Sequence, residues 1–231
     1  MPRRLLAGWI TPLTSGLSCV GQGGDWHPVS VSFEIAQVSK TAFVWQHYEP
    51  AVKSELFSTA LLLATETYLV DPIPLAPAAF HHLLRGRSVS GVIVTNVNHP
   101  RDSLRCAKSH SAPIFAHREI AGSGELVGAK GLSTSEMIGL EVVEIPGGPS
   151  GEIALHHGEE GGELIVGDSL IHFDPYGFTF LPDKYCTDSR RMRRALRALL
   201  DLHFERILFA HGTPIISRGR ERLEQLLASA A

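Results

Sequence analysis

Short apolar runs recur along the first half of the chain, separated by polar and proline-containing turns. Residues 32–36 and 41–45 are rich in β-branched and aromatic side chains, and residues 58–70 contain two more apolar runs around a polar break, which together predict a β-meander. From residue 76 the apolar positions recur at helical spacing, and residues 91–95 return to a strand-like run. The first half is therefore predicted to pass from a meander into β-α-β units.

A helix over residues 103–109 and a strand over 112–116 complete the first half, and residues 122–135 are predicted to be irregular because they are rich in glycine and serine. The same succession of strands and helices is then predicted again in the second half. The later elements are strands over 140–145, 152–155 and 163–166, a helix that opens at 187–189, a strand over 206–210 and a helix over 218–228.

The repeated order of strands and helices indicates the fold class. Two meanders, each followed by β-α units, predict an α/β protein in which two similar halves pack as sheets with helices outside, a four-layer αββα sandwich. No segment has the composition of a linker, so residues 1–231 are predicted to form a single domain.

Composition excludes several classes of partner. The formal net charge of −3 gives no general attraction for nucleic acid or anionic membranes, and the arginines of residues 190–197 are predicted to form a solvated helix face. Cys19, Cys106 and Cys186 lie too far apart to suggest a cysteine zinc site, and reduced thiols are typical of the cytoplasm. The apolar segment 56–70 is too short to span a membrane. We therefore predict a cytoplasmic protein that binds neither nucleic acid nor membranes.

Polar side chains follow four of the predicted buried strands at the point where each strand ends. The runs end in Asp71, in Asn96, in Asp168 and in His211. In sheets covered by helices, loops beyond the carboxyl ends of the strands bring polar groups from distant parts of the chain together. We therefore expect one shared site, in which Asp168 and His211 converge beside the turn formed by residues 96–102.

The order of these motifs resembles the metallo-β-lactamase superfamily. The resemblance rests on Asp71, TNVNHPRD at residues 95–102, IPGGPSG at 145–151, Asp168, and AHGTP at 210–214. It extends from about residue 32 to the last helix. It implies an αββα fold and a site that holds one or two metal ions, usually zinc, which activate a water molecule for hydrolysis.

Most of the family's metal ligands are exchanged in this chain. The four ligand positions of the family's His-x-His-x-Asp-His loop are occupied by Asn96, Asn98, Pro100 and Arg101. Gly148 stands at the histidine position of the third motif, so only Asp168 and His211 match the family pattern. Because zinc prefers imidazole and anionic ligands, two matching residues predict weak metal binding or none.

Three alternatives follow from these exchanges. His99 and Asp102 lie one residue from expected ligand positions, and a shifted loop could bring them beside Asp168 and His211 as a single site for zinc, iron or manganese. Alternatively, the Arg101 guanidinium could pair with Asp168 and take the place of the ion. A hydrolase without metal is the third alternative, with His211 as a general base that Asp168 orients.

Two classes of function are consistent with this sequence. The first is a hydrolase with a degraded metal site, acting on an unknown small molecule. Its candidate metal or catalytic residues are Asp168, His211, His99 and Asp102, and its candidate cleft residues are Asn96, Asn98, Arg101, Asp71 and Gly148. The second class is a non-catalytic binding or scaffolding protein that uses the same fold.

Overall fold

The computed structural model describes residues 32, 34–132, 139–173 and 176–229. Cys19 and part of the segment predicted to be irregular, residues 122–135, lie outside the described residues. In the part of the chain that is described, no helix is both long enough and apolar enough to cross a membrane.

Seven strands form the first sheet, and neighbours along the chain are also neighbours in the sheet. The strands are β1 (Ala36–Gln37), β2 (Ala42–Glu49), β3 (Ser54–Leu62), β4 (Thr67–Val70), β5 (Gly91–Val94), β6 (Ile114–His117) and β7 (Lys130–Leu132). The strands β1 to β4 are antiparallel, whereas β4 to β7 run parallel. Because β4 and β5 are parallel, Asp71 and Thr95 leave the sheet at the same edge.

Four strands form the second sheet, and a hairpin interrupts them in sequence. The chain continues through β8 (Glu141–Glu144), β9 (Ile153–His157), β10 (Glu163–Val166), the hairpin strands β11 (Leu170–Phe173) and β12 (Gly177–Phe180), and β13 (Arg206–Phe209). The order in the second sheet is β13-β10-β9-β8. Since β10 and β13 are parallel, the residues that follow them, Asp168 and His211, also emerge at a common edge.

Helices cover the outer face of each sheet. The α-helices are α1 (Pro77–Leu84), α2 (Ser103–His110), α3 (Ser189–Ala195) and α4 (Gly219–Ser229). Single 3-10 segments occupy Gly124–Leu126, Asp183–Tyr185 and Leu196–Asp201.

Buried hydrophobic side chains form three clusters, and these lie between the four layers of helices and sheets. Leu83 of α1 belongs to the cluster on the outer face of the first sheet, together with Val92 and Val94 of β5. Ile93, which points the other way from the same strand, belongs to the cluster between the two sheets. Met192 of α3 belongs to the cluster on the outer face of the second sheet. This layering confirms the predicted αββα sandwich.

The structure differs from the predicted elements in several places. The hairpin of β11 and β12 was not predicted, and β7 lies within the segment predicted to be irregular. The helix predicted from residue 187 begins at Ser189, where the Asp188 side chain accepts the Arg191 N–H, and it changes to a 3-10 segment at Leu196. An N-terminal cap of this kind satisfies a free backbone N–H and fixes where the helix begins.

Candidate metal centre

Asp71 ends β4 in a left-handed backbone conformation, with φ of 47°, which is uncommon for a residue that has a side chain. The Ser58 hydroxyl holds this turn, because it donates to the Asp71 carbonyl oxygen at 2.6 Å and accepts the Ile73 N–H at 2.8 Å. The Asp71 carboxylate accepts the backbone N–H of Thr95 at 2.8 Å. The ends of β4 and β5 are therefore tied together at the edge of the sheet.

The loop after β5 turns His99 into the protein. The Asn96 side-chain oxygen accepts the backbone N–H of Asn98 at 2.8 Å, which forms an Asx turn. The His99 N–H then donates to the Asn96 carbonyl oxygen at 3.1 Å. As a result His99 is only 2% exposed, although it stands one residue away from a ligand position of the family's loop.

Two carboxylates flank the His99 ring. The Nδ1 atom lies 2.9 Å from Asp71 Oδ2, and the Nε2 atom lies 3.1 Å from Asp168 Oδ1. Burial lowers the pKa of His99, but the charges of Asp168 and Asp71 outweigh burial and the charge of Arg101 and raise this pKa to about 9. Burial likewise opposes ionisation of both carboxyls, yet the imidazolium holds their pKa values below the ordinary range. The three side chains form a buried ion triad.

His211 approaches the same carboxylate oxygen from the second sheet. Its Nε2 atom lies 3.3 Å from Asp168 Oδ1, and its Nδ1 atom lies 3.2 Å from the Ser54 hydroxyl. Burial lowers the pKa of His211 to about 4 against the opposing charge of Asp168, so this ring is neutral at pH 7. One atom each from His99, Asp168 and His211 lies within 4.8 Å of the other two. Two imidazoles and a carboxylate are ligand types suited to zinc and ferrous iron.

The second oxygen of Asp168 is occupied by two amides. Asn96 Nδ2 lies 3.2 Å from Asp168 Oδ2, and Asn98 Nδ2 donates to the same oxygen at 3.3 Å. Both asparagines stand where the family's loop has histidine ligands. They therefore act as hydrogen-bond donors to Asp168 at positions where the family has metal-binding groups.

Glu152 is a buried acid behind these amides that the sequence prediction did not include. Its Oε2 accepts Asn96 Nδ2 at 2.7 Å, and its Oε1 accepts the Ser169 backbone N–H at 2.8 Å. Burial and the nearby charge of Asp168 raise the pKa of Glu152 to about 8. Glu152 therefore holds a proton at pH 7, and the site avoids a third buried negative charge.

Arg101 occupies a different position from the predicted pairing with Asp168. Its Nη1 donates to the carbonyl oxygens of Phe57 at 2.6 Å and Asp71 at 3.2 Å, and its Nη2 donates to the carbonyl oxygen of Ala210 at 3.3 Å. The cation that lies directly against Asp168 is instead His99. Arg101 thus connects β3 and the residues that follow β4 and β13, which belong to the two sheets.

Two further candidate residues lie apart from the donor group. Asp102 immediately precedes α2, and its carboxylate accepts Arg105 Nε at 2.8 Å in a surface ion pair. Gly148 has no side chain to contribute, and a Cβ atom added there would lie 3.1 Å from the Glu152 side chain. The structure therefore places the Asp102 carboxylate in an ion pair with Arg105 and not beside Asp168 and His211, where its predicted helper role would need it.

Comparisons with known proteins agree with this architecture. A family model described as the metallo-beta-lactamase superfamily matches residues 38–230. FIM-1 from Pseudomonas aeruginosa, solved in a mono-zinc form, has a TM-score of 0.68 at 14% identity, over 88% of this chain and 98% of its own. A metallo-beta-lactamase from Erythrobacter litoralis gives 0.67 at 16% identity, over 85% and 96% of the two chains. A metallo-beta-lactamase family protein from Thermus thermophilus gives 0.60 at 20% identity, over 84% and 80%. The comparison with curated protein sequences found no match.

Proposed function

Because the chain belongs to the metallo-β-lactamase superfamily, we propose that it is a hydrolase whose single metal ion is held by His99, Asp168 and His211. The observation that supports this proposal is the convergence of two imidazole Nε2 atoms on one oxygen of Asp168, at 3.1 and 3.3 Å. A bound metal ion would polarise a water molecule and make it a nucleophile at neutral pH.

The residues around the three ligands would orient them. The Asp71 carboxylate contacts Nδ1 of His99, and the Ser54 hydroxyl contacts Nδ1 of His211. Both rings therefore direct Nε2 toward Asp168. Outer contacts of this kind fix the ring orientation of metal-binding histidines in known metal sites. The donor group therefore has the outer support that a metal ligand set requires, and binding of an ion would displace the proton of His99, since a ligand imidazole is neutral.

The asparagine amides favour one ion over two. Their N–H groups point at Asp168 Oδ2, and an N–H donor presents a partial positive charge that repels a cation. Only the other oxygen of Asp168 remains available between the two imidazoles. A site of this kind would bind one ion.

Elemental analysis tests this proposal. Protein purified without chelators is expected to contain about one zinc, iron or manganese ion per chain, and Asp168→Asn is expected to lose it. Asp102→Asn is the matched control, because its carboxylate pairs with Arg105 and lies outside the donor group. The metal-loaded wild type should hydrolyse members of a panel of nitrophenyl esters and phosphodiesters, and Asp168→Asn should not. A wild type without metal, whose melting temperature does not respond to added zinc, iron or manganese, would contradict the proposal.

Removing the outer contact of His211 is expected to weaken metal binding without unfolding the protein. Ser54→Ala deletes the hydroxyl that lies 3.2 Å from Nδ1, and loss of such a contact typically weakens metal affinity about tenfold or more. The measurement is competition for the metal against a chromogenic chelator. Ser109→Ala, an exposed serine on α2, is the control and should retain wild-type affinity. Equal affinities for the two variants would show that Ser54 does not orient the ring.

A second candidate function is supported by the charge balance of the site. His99 and Arg101 offset the charges of Asp71 and Asp168, and Glu152 is neutral at pH 7, so the buried cluster needs no ion for neutrality. A non-catalytic binding protein would fit this balance. The same elemental analysis distinguishes the two functions.

A further inference from the structure

The strand β11, which begins two residues after Asp168, binds the loop that carries His211. The His172 backbone N–H donates to the carbonyl oxygen of His211 at 3.1 Å, and the Thr213 N–H donates to the carbonyl oxygen of His172 at 2.9 Å. These two bonds form a short parallel bridge between His172 and Gly212. The segment that follows one proposed ligand therefore pairs with the segment that contains another.

The side chain of His172 adds a third bond to the same loop. Its Nδ1–H donates to the carbonyl oxygen of Thr213 at 2.7 Å, which is the shortest of the three contacts. Because a carbonyl oxygen can only accept, this bond places the proton of the neutral ring on Nδ1. The ring is half-buried, and its centroid lies 5.7 Å from that of the Phe209 ring and 6.1 Å from that of the Phe178 ring. The two aromatic rings restrict where the imidazole lies, and the bond fixes its orientation.

The loop of residues 211–213 depends on His172 for its conformation. Within the described part of the chain, His172 is the one residue that forms hydrogen bonds with the backbone of these three residues. Gly212, in the middle of the loop, has a φ of 107°, and a Cβ atom there would clash with the carbonyl oxygen of His172. Glycine has the greatest conformational freedom of any residue, so Gly212 does not hold the loop by itself. The bonds from His172 must supply that constraint.

From these contacts we propose that His172 is a positioning residue, whose Nδ1–H holds the loop so that His211 Nε2 stays 3.3 Å from Asp168 Oδ1. His172 acts through the backbone of the loop and takes no part as a ligand. Its importance for metal binding rests on the proposed function, because His211 is a ligand only if the donor group binds an ion. The position of the His211 ring can be measured without metal, so the two proposals can fail separately.

Two variants separate the bond of His172 from the packing of its ring. His172→Phe keeps an aromatic ring beside Phe178 and Phe209 but has no N–H donor, whereas His172→Asn loses the ring and keeps an N–H for the Thr213 carbonyl oxygen. Competition for zinc against a chromogenic chelator is expected to show affinity about tenfold lower or more for His172→Phe, and within about threefold of the wild type for His172→Asn. Wild-type affinity in His172→Phe, or equal losses in both variants, would overturn the proposal.

His156→Phe is the matched control for the lost bond. The His156 Nε2 atom lies 2.9 Å from the carbonyl oxygen of His203, and His156 pairs with Leu164 at the start of β10, away from the edge where Asp168 emerges. This variant loses the same kind of side-chain bond to a carbonyl oxygen. It should nevertheless bind zinc as the wild type does, even if its stability falls.

Crystal structures of the variants grown in chelator test the position of His211 directly. In His172→Phe the His211 Nε2 atom is expected to lie beyond hydrogen-bond distance from Asp168 Oδ1, and in His172→Asn it is expected to remain within it. An unmoved His211 ring in His172→Phe would overturn the proposal. Should this variant fail to fold, His172→Leu, which also lacks the donor, provides the same comparison. A wild type that binds no zinc would contradict the metal centre alone, because these structures decide the role of His172 without metal.

Discussion

Replacing His99 by alanine is expected to lower the free energy of unfolding of the metal-free protein by about 3–5 kcal/mol. The imidazole is 2% exposed and lies between the carboxylates of Asp71 and Asp168, at 2.9 and 3.1 Å. Removing it leaves two buried negative charges without the cation that separates them, and this costs far more than the lost packing. Urea denaturation at pH 6.5 in the presence of a chelator measures the change.

His82→Ala is the matched control for this prediction, because His82 is exposed on α1 and its replacement should change stability by less than about 0.5 kcal/mol. The His99→Ala variant should also bind no metal at stoichiometric concentration, since one of three ligands is gone. A loss of stability below about 1 kcal/mol for His99→Ala would show that the ion triad contributes little to folding.

The metal-free protein is expected to lose at least about 3 kcal/mol of stability between pH 6.5 and pH 9. The folded-state pKa of His99 is about 9, against 6.5 for an ordinary histidine, so its contribution is complete below pH 6.5 and disappears as the pH rises through 9. Glu152 acts in the same direction, because its pKa of about 8 exceeds the ordinary 4.5 and its proton favours the folded state. Denaturation curves at several pH values in chelator measure this loss.

Two conservative variants separate the contributions to this pH dependence. His99→Gln cannot carry a charge, so its stability should fall less steeply with pH than that of the wild type. Glu152→Gln is uncharged like the protonated acid, and its one side-chain oxygen can accept the Ser169 N–H while its NH2 group faces the Asn96 amide, so it should start from a lower stability but lose less of it between pH 6.5 and 8. Parallel pH profiles for the wild type and His99→Gln would exclude His99 as the titrating group.

Most of the candidate site was predicted from the polar residues that follow the buried strands in the sequence. The carboxyl ends of parallel strands meet at one edge, and the structure brings Asp168 and His211 together there with the loop that holds Asn96 and Asn98. The shifted position of His99 had a local cause in the Asx turn of Asn96. His99 was predicted as a possible ligand only because it lies one residue from an expected ligand position, and the turn that brings it inward is visible only in the structure.

Other parts of the site depend on contacts that sequence spacing does not encode. Ser54 and His211 are 157 residues apart, and their contact exists only because the first sheet packs over the second. Glu152 gave a weak signal, an acid at the start of a buried apolar strand, but its partner Asn96 is 56 residues away. Arg101 was predicted to pair with Asp168 because it stands at a ligand position of the family's loop, whereas in the folded chain it donates to the carbonyl oxygens of Phe57, Asp71 and Ala210.

The hydrogen bonds of Asn96 limit which side chains this position can accept. The Asn96 amide uses its oxygen for the Asn98 N–H and its nitrogen for Glu152 and Asp168. Asn96 is fully buried with its amide nitrogen 2.7 Å from Glu152 Oε2, so the larger imidazole introduced at position 96 would press against this acid, which holds a proton at pH 7. A histidine at position 96 is therefore expected to require a smaller residue at position 152 at the same time, so substitutions at these two positions are coupled.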